Sequence, residues 1–386
     1  MSGKQRQLIL GLAFNKLADL LSSAKTTLPA LLIAIGAPAW MIGWLVPIRE
    51  SGALLPQALI GVYLRKHSAR HHIWRIGMAV QISAVSTMLA SALLFKGIVA
   101  GGIVIGALVF LSIGRSACSL TVKDMEADVA EKGTRGRLVG IASTASGVMT
   151  LLFAAPIVYF QDALQDYALY ALLGAAVFAF SVTFVCMLSL KTYVDVEGDA
   201  DKKGEGWHFD SVVYKFIFVR GLFVHSALVA PYFMLESGED ATTLLPFYIA
   251  AQALATLLSS FVWGKVADKS ATLTLRLAGM MALLACLGLL IIGADTLWVS
   301  ALLFFVLSVA HAGVRTGRKT YSLDVKEGQQ RTELVGFSNT AIGLILLAFG
   351  ALYAALSAFI TFSVVYIMAL VLVVAIAATW CLPKEK

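Results

Sequence analysis

Six side chains carry charge or amide chemistry inside stretches that are otherwise apolar: Asn15, Asp19, Lys25, Arg49, Glu50 and Arg220. An ionisable group in hydrocarbon is costly unless it is paired or faces water, so such groups mark solute or ion pathways. Asn15, Asp19, Ser22 and Thr26 follow one another at spacings of 4, 3 and 4, which on a helix puts them on one face. That face is expected to line a cavity. At a rise of roughly 1.5 Å per residue, Lys25 and Glu50 reach similar depths on two antiparallel helices and are expected to form an ion pair. Such a pair either ties two helices together or gives up a partner to a solute or a proton. Arg220 either binds solute or closes a salt bridge with Asp19 or Glu50. Lys25, Arg49 and Arg220 outnumber Asp19 and Glu50, which tilts the expected solute toward an anion such as a carboxylate. Asp19 or Glu50 is the candidate proton carrier.

Other chemistries find no support in the spacing. The chain has no nucleophile elbow, phosphate loop, metal-ligand spacing or catalytic dyad, so neither an enzyme nor a cofactor or metal is expected. His67, His71, His72 and His311 read as a solvated cytoplasmic face, and His225 as a packing or hydrogen-bonding residue. Cys118, Cys186, Cys286 and Cys381 lie in or at the ends of apolar segments and form no disulfide framework.

The elements that must position these residues are membrane spans. Of the 386 residues, 59% are hydrophobic and 14% charged, with a mean hydropathy of +0.84. Globular domains carry about 25% charged residues. This excludes a disordered chain, a disulfide scaffold and a cytosolic enzyme. Twelve helical spans are predicted at residues 10–35, 40–64, 73–95, 98–121, 137–160 and 167–190, then 211–235, 243–265, 272–293, 297–320, 333–357 and 360–382. The polar, glycine-bearing stretch 191–210 reads as a cytoplasmic linker between two halves, 1–190 and 211–386. The net charge of +7 is a topology signal, not a nucleic-acid signal. With both termini inside, most Lys and Arg fall in cytoplasmic segments, while Asp162, Asp166, Glu236, Glu239, Asp240 and Asp295 fall outside. Lys4 and Arg6 precede a first helix that is retained rather than cleaved, and Trp40, Trp44, Trp207 and Trp298 are placed as interfacial anchors.

An internal repeat divides the chain. Leu138-Val139-Gly140-Ile141-Ala142-Ser143-Thr144 resembles Leu334-Val335-Gly336-Phe337-Ser338-Asn339-Thr340 at an offset of 196 residues. The match runs ungapped in both directions, pairing Lys123 with Lys319, Asp128 with Asp324, Glu131 with Glu327 and Arg135 with Arg331. Both copies begin on the same side, so they are expected to be parallel repeats about an axis along the membrane normal. Loops 123–137 and 319–333 mix acids and bases at equivalent places and are expected to bridge one another when an inner mouth closes.

Gly264-Lys265-Val266-Ala267-Asp268-Lys269, at the end of the eighth span, fits the Gly-x-x-x-Asp-Arg/Lys loop of the major facilitator superfamily of secondary transporters, which the whole chain resembles. In that motif Gly264 lets two helices approach and Asp268 sits against a helix N-terminus. The first-half counterpart, Gly61-Val62-Tyr63-Leu64-Arg65-Lys66, keeps the glycine and places Arg65 where the family has Asp. Arg115 occupies the region of the fourth-helix arginine signature, followed by Cys118-Ser119 where the family has Gln-Gly, and the fifth-span Gly-Pro motif is absent. The resemblance implies an all-α integral membrane fold of two six-helix bundles about a pseudo-twofold axis. It implies a monomeric, proton-coupled carrier of a small solute in a bacterial inner membrane, with Gly264, Asp268, Lys269 and Arg115 in gating, to which the charged loops of the repeat add Asp128, Arg135, Asp324 and Arg331. A lipid or lipophile flippase on the same fold is the alternative. Gly97, Gly101, Gly102 and Gly106 are expected to serve helix packing.

Overall fold

The computed structural model describes residues 3–65, 67–129, 135–159, 167–193, 210–237, 240–293, 296–325, 328–360 and 362–383. Among these the chain is helical, with one isolated β-bridge between Ala69 and Tyr193. The first unit comprises Met1–Pro38 and Ile48–Lys203, and the second comprises Ala39–Pro47 and Gly204–Lys386. Helices fall on all twelve predicted spans. Among the described residues, eight are long and apolar enough to cross a membrane by length and composition. Their outward side chains fit that environment: Leu94 is 73% exposed, Ile291 78% and Phe359 86%, which is disfavoured in water and ordinary against lipid.

In the first unit the predicted first span is two helices, α1 (Gly3–Leu21) and α2 (Thr27–Ala34), and the second is α3 (Ile42–Leu54), of which the part from Ile48 belongs to this unit, and α4 (Pro56–Arg65). Then come α5 (Arg70–Leu94), α6 (Gly97–Val129), α7 (Arg135–Tyr159) and α8 (Ala168–Met187). Proline explains both breaks. Pro29 has no N–H to offer the Lys25 carbonyl one turn back, and Pro56 none for Gly52. A side chain takes up a freed backbone group of the first break: Ser23 Oγ accepts from the Lys25 N–H at 3.1 Å. Ser22 Oγ donates at 2.7 Å to the Ala18 carbonyl, which also accepts the Ser22 N–H. The break ends the helical register, and Ser22 and Thr26, predicted on a cavity-lining face, are instead fully buried.

The first unit packs α1 against α7 and α8, and α5 against α6 and α8. Contact between α5 and α6 is set by Gly77 and Gly114. A Cβ on Gly77 would stand 2.8 Å from the Gly114 carbonyl oxygen, and one on Gly114 2.6 Å from the Gly77 oxygen. Of the glycines predicted to serve packing, Gly101 is buried, while a Cβ on Gly97 would meet nothing within 4 Å. Gly102, Gly106 and Gly264 have open space where a Cβ would project, because they lie on helix faces with no neighbour there.

The second unit contains α9 (Ser211–Leu222), α10 (His225–Leu228) and α11 (Ala230–Leu235), three pieces of the predicted seventh span. Pro231, in the first turn of α11, again withholds an N–H. The rest is α12 (Ala241–Lys269), α13 (Ala271–Ile291), α14 (Leu297–Asp324), α15 (Gly328–Phe359) and α16 (Val365–Ala378). Helix α14 packs on α12 and α13, α13 on α16, and α9 on α15 and α16. The interior holds Phe216, Phe223, Trp263 and Tyr321. Trp263 fits against Gly313 and donates to the Val309 carbonyl at 2.8 Å. The segment Ala39–Pro47 belongs to this unit: Pro47 meets Gly350, and Gly43 adjoins Tyr232 and Ala354. Of the predicted anchors, Trp298 is 72% exposed and Trp207 lies outside the described residues.

Gly114→Ala should lower stability by about 1–3 kcal/mol, because its methyl would need α5 and α6 to separate. Gly106→Ala should stay within about 0.5 kcal/mol of wild type. Thermal melts of the two purified variants compare these outcomes.

Candidate functional site

Asp19 ends the face of α1 just before the proline-induced break, Arg49 stands two residues after Pro47 on α3, and Arg115 lies late on α6. These three helices bring their side chains to one atom. Asp19 Oδ1 accepts from Arg49 Nη2 at 2.5 Å and from Arg115 Nη1 at 3.0 Å. The Arg49 side chain is 7% exposed, Asp19 18% and Arg115 41%. One carboxylate thus faces two guanidinium groups, and it can neutralise only one of them. Arg49 Nη1 is buried with no hydrogen-bond partner, as is Asn15 Oδ1 one turn before Asp19. A buried donor and a buried acceptor left open carry a free-energy cost that a ligand can recover. Lys25 lies in the break between α1 and α2, with Nζ 4.0 Å from Glu50 Oε1, the outer limit of an ion pair.

The sequence separated Arg115 from this group by assigning it to gating, whereas the structure brings it to Asp19. Arg220, in the last turn of α9, donates from Nη1 to Ser338 Oγ and from Nη2 to Asn339 Oδ1, both at 2.8 Å. Both partners lie on α15 of the same unit. Ser338 and Asn339 were missed as site residues, although they stand in the repeated segment, where Asn339 aligns with Ser143.

The other predicted gating residues are dispersed. Asp268 and Lys269 are exposed in the last turn of α12. The N-terminus of the next helix, α13, is capped by Ser270, whose Oγ accepts from the Leu273 N–H at 3.1 Å. Ser270 is the residue that the extended backbone places within reach of that turn. Asp128 Oδ2 accepts from Thr192 Oγ1 at 3.4 Å, and Asp324 is exposed. The side chains of Arg135 and Arg331 lie outside the described residues. His71 and His311, predicted on a solvated face, are both engaged. His71 is 2% exposed with Nδ1 on the Thr192 carbonyl at 3.1 Å, and His311 Nδ1 is 3.2 Å from Ser226 Oγ.

No protein-family model and no curated protein matches the chain in sequence. Solved structures match in fold over nearly its whole length. A mutant of the nucleoside transporter NupG aligns over 99% of this chain and 100% of its own, with a TM-score of 0.73 at 12% identity. A POT family transporter in complex with a thioalcohol-conjugated peptide aligns over 98% and 94%, at 0.70 and 10% identity. The inward-open xylose transporter XylE from E. coli aligns over 98% and 95%, at 0.67 and 13% identity. The chain has the major-facilitator fold. It is an all-α, multi-pass membrane protein.

Replacing Arg49 by Ala should cost roughly 3–5 kcal/mol, since it removes one partner of a buried pair. Arg115→Ala should cost no more than about 1 kcal/mol, because that guanidinium is more than a third exposed and screened. Equal losses in chemical or thermal unfolding would show that the two arginines do not differ in this way.

Proposed function

We propose that the chain is a secondary active transporter that moves a small anionic solute across the membrane by alternating access, coupled to protons. The observation that carries the reading is the Asp19 carboxylate shared by two guanidinium groups, with Arg49 Nη1 left open. A solute carboxylate supplies the missing negative charge and can accept from Arg49 in the planar geometry that guanidinium groups favour. Asn15 offers an acceptor to a hydroxyl or amine on the same solute. Nucleoside, peptide and sugar transporters named among the similar folds support the transporter reading, while the choice of an anion rests on this chain's own charges.

Glu50 is the carboxylate assigned to coupling. Protonating Asp19 would leave two guanidinium groups opposite a neutral acid, whereas protonating Glu50, whose carboxylate stands 4.0 Å from Lys25 Nζ, leaves Asp19 charged between both arginines. The moving parts are the two six-helix halves, 1–190 and 211–386, with 191–210 as a cytoplasmic linker and both termini inside a bacterial inner membrane. Asp128, Arg135, Asp324 and Arg331 act at the cytoplasmic loops, with Gly264, Asp268 and Lys269 at the end of the eighth span, in a carrier that works as a monomer.

Purified protein screened by thermal shift against benzoate, lactate and succinate, with glucose and uridine as neutral controls, tests the reading. At least one carboxylate should stabilise the wild type, and that shift should vanish in Arg49→Gln. Stabilisation by the neutral compounds alone would overturn the anion assignment.

A further inference from the structure

The carboxylates of the first unit leave unused a buried histidine at the break of the seventh span. His225 opens α10 and has no exposed surface. The backbone around it leaves the regular helical pattern: the Ser226 N–H turns to the Phe223 carbonyl at 3.2 Å. The Leu222 carbonyl takes the His225 ring instead, with Nδ1 at 2.8 Å. A carbonyl only accepts, so Nδ1 carries the proton. In the neutral ring Nε2 is then an acceptor, and the Tyr353 hydroxyl on α15 donates to it at 2.7 Å. Both nitrogens are engaged, and the tautomer is fixed by the freed carbonyl.

We propose that His225 is a proton-binding site of the second unit, with Tyr353 as the partner that reverses its hydrogen bond when the proton arrives. The inference rests on the proton-coupled reading above and adds to it a site that the first-unit carboxylates do not supply. A proton taken from water onto Nε2 turns that nitrogen into a donor. The Tyr353 oxygen must then accept, and its own O–H must rotate to another acceptor. The acceptor the proposal assigns to it is the hydroxyl of Tyr232 on α11, a buried residue whose hydroxyl has no hydrogen-bond partner. The Phe349 ring stands T-shaped to His225 with centroids 4.5 Å apart, within the range at which an aromatic ring attracts a cation.

The surrounding titratable and charged groups are Tyr353 on α15, Tyr232 and the following Glu236 on α11, Arg220 on α9 and His311 on α14. His311 reaches the break through Ser226. The Ser226 hydroxyl already donates to the Phe223 carbonyl at 2.9 Å, so His311 Nδ1 donates to Ser226 Oγ. Helix α16 carries one titratable side chain, the exposed Tyr366. No described carboxylate pairs with His225, and the proton's charge is taken up by hydroxyl and carbonyl dipoles. Its arrival therefore changes the bonding of the segment that joins α9 to α10 and α11, which is how a proton would alter the shape of this span.

Solid-state NMR of 15N-histidine-labelled protein in liposomes, with the resonance assigned by its loss in His225→Asn, tests the proposal without any solute. Wild-type His225 should show the neutral Nδ1–H form at about pH 8 and gain the imidazolium form at the acid end of a titration carried down to about pH 4. In Tyr353→Phe, which keeps the ring beside Phe349, the midpoint should move by about half a pH unit or more. A ring that stays neutral at about pH 4, or a midpoint unchanged in Tyr353→Phe, overturns the proposal. If His225→Asn does not fold, the resonance that moves in Tyr353→Phe gives the assignment, and no such resonance counts against it. A failed anion screen would overturn the anion assignment and leave this titration standing.

Discussion

A charge buried in a membrane protein has no water to fall back on, and Asp19 is where that constraint organises the first unit. Three helices, α1, α3 and α6, meet at one carboxylate oxygen. The break after Leu21 ends α1 just beyond Asp19, and the same break places Lys25 near Glu50. The result is a pocket of side chains whose cations exceed its carboxylates. A protein built only for stability would close that imbalance with a second acid or remove a guanidinium, since an incompletely paired buried charge is destabilising. Keeping it makes sense where a negative group is brought in by the solute.

The second unit solves the same problem differently. Arg220 is met by a hydroxyl and a side-chain amide on α15, and the freed backbone of the seventh span is met by the His225 ring. The hydrogen bonds named here run to neutral partners, so they can be rearranged without separating opposite charges. Proline recurs in both units at the point where a span breaks, Pro29 and Pro56 in the first and Pro231 in the second. The broken spans are the ones that carry the unusual polar groups. Straight helices such as α5 and α6 instead pack through close backbone contact at Gly77 and Gly114.

Spans and their number are legible in the sequence because hydrocarbon demands long apolar helices, and that demand is written residue by residue. The depth of Lys25 and Glu50 followed from the rise of a helix alone, and the structure holds the two at ion-pair distance. What was not legible depends on the third dimension. Arg115 is 96 residues from Asp19, and no local pattern tells which deep arginine a carboxylate will meet. The four glycines opening α6 looked like packing residues by composition. Packing, however, requires a facing helix, and Gly102 and Gly106 have none within reach of a Cβ. The breaks hid inside continuous hydropathy, although the prolines that cause them were visible. His225 likewise read as an ordinary buried ring until the freed Leu222 carbonyl showed why its tautomer is fixed.

The central claim is that Asp19 fills part of a site that an anion completes, and chemical rescue tests it most directly. Asp19→Asn keeps the shape and removes the charge, leaving Arg49 and Arg115 opposite an amide. Melting of that variant should rise toward the wild-type value as acetate is added, with no comparable rise for acetamide. Equal effects of acetate on the variant and on the wild type, or equal effects of acetate and acetamide, would contradict the account.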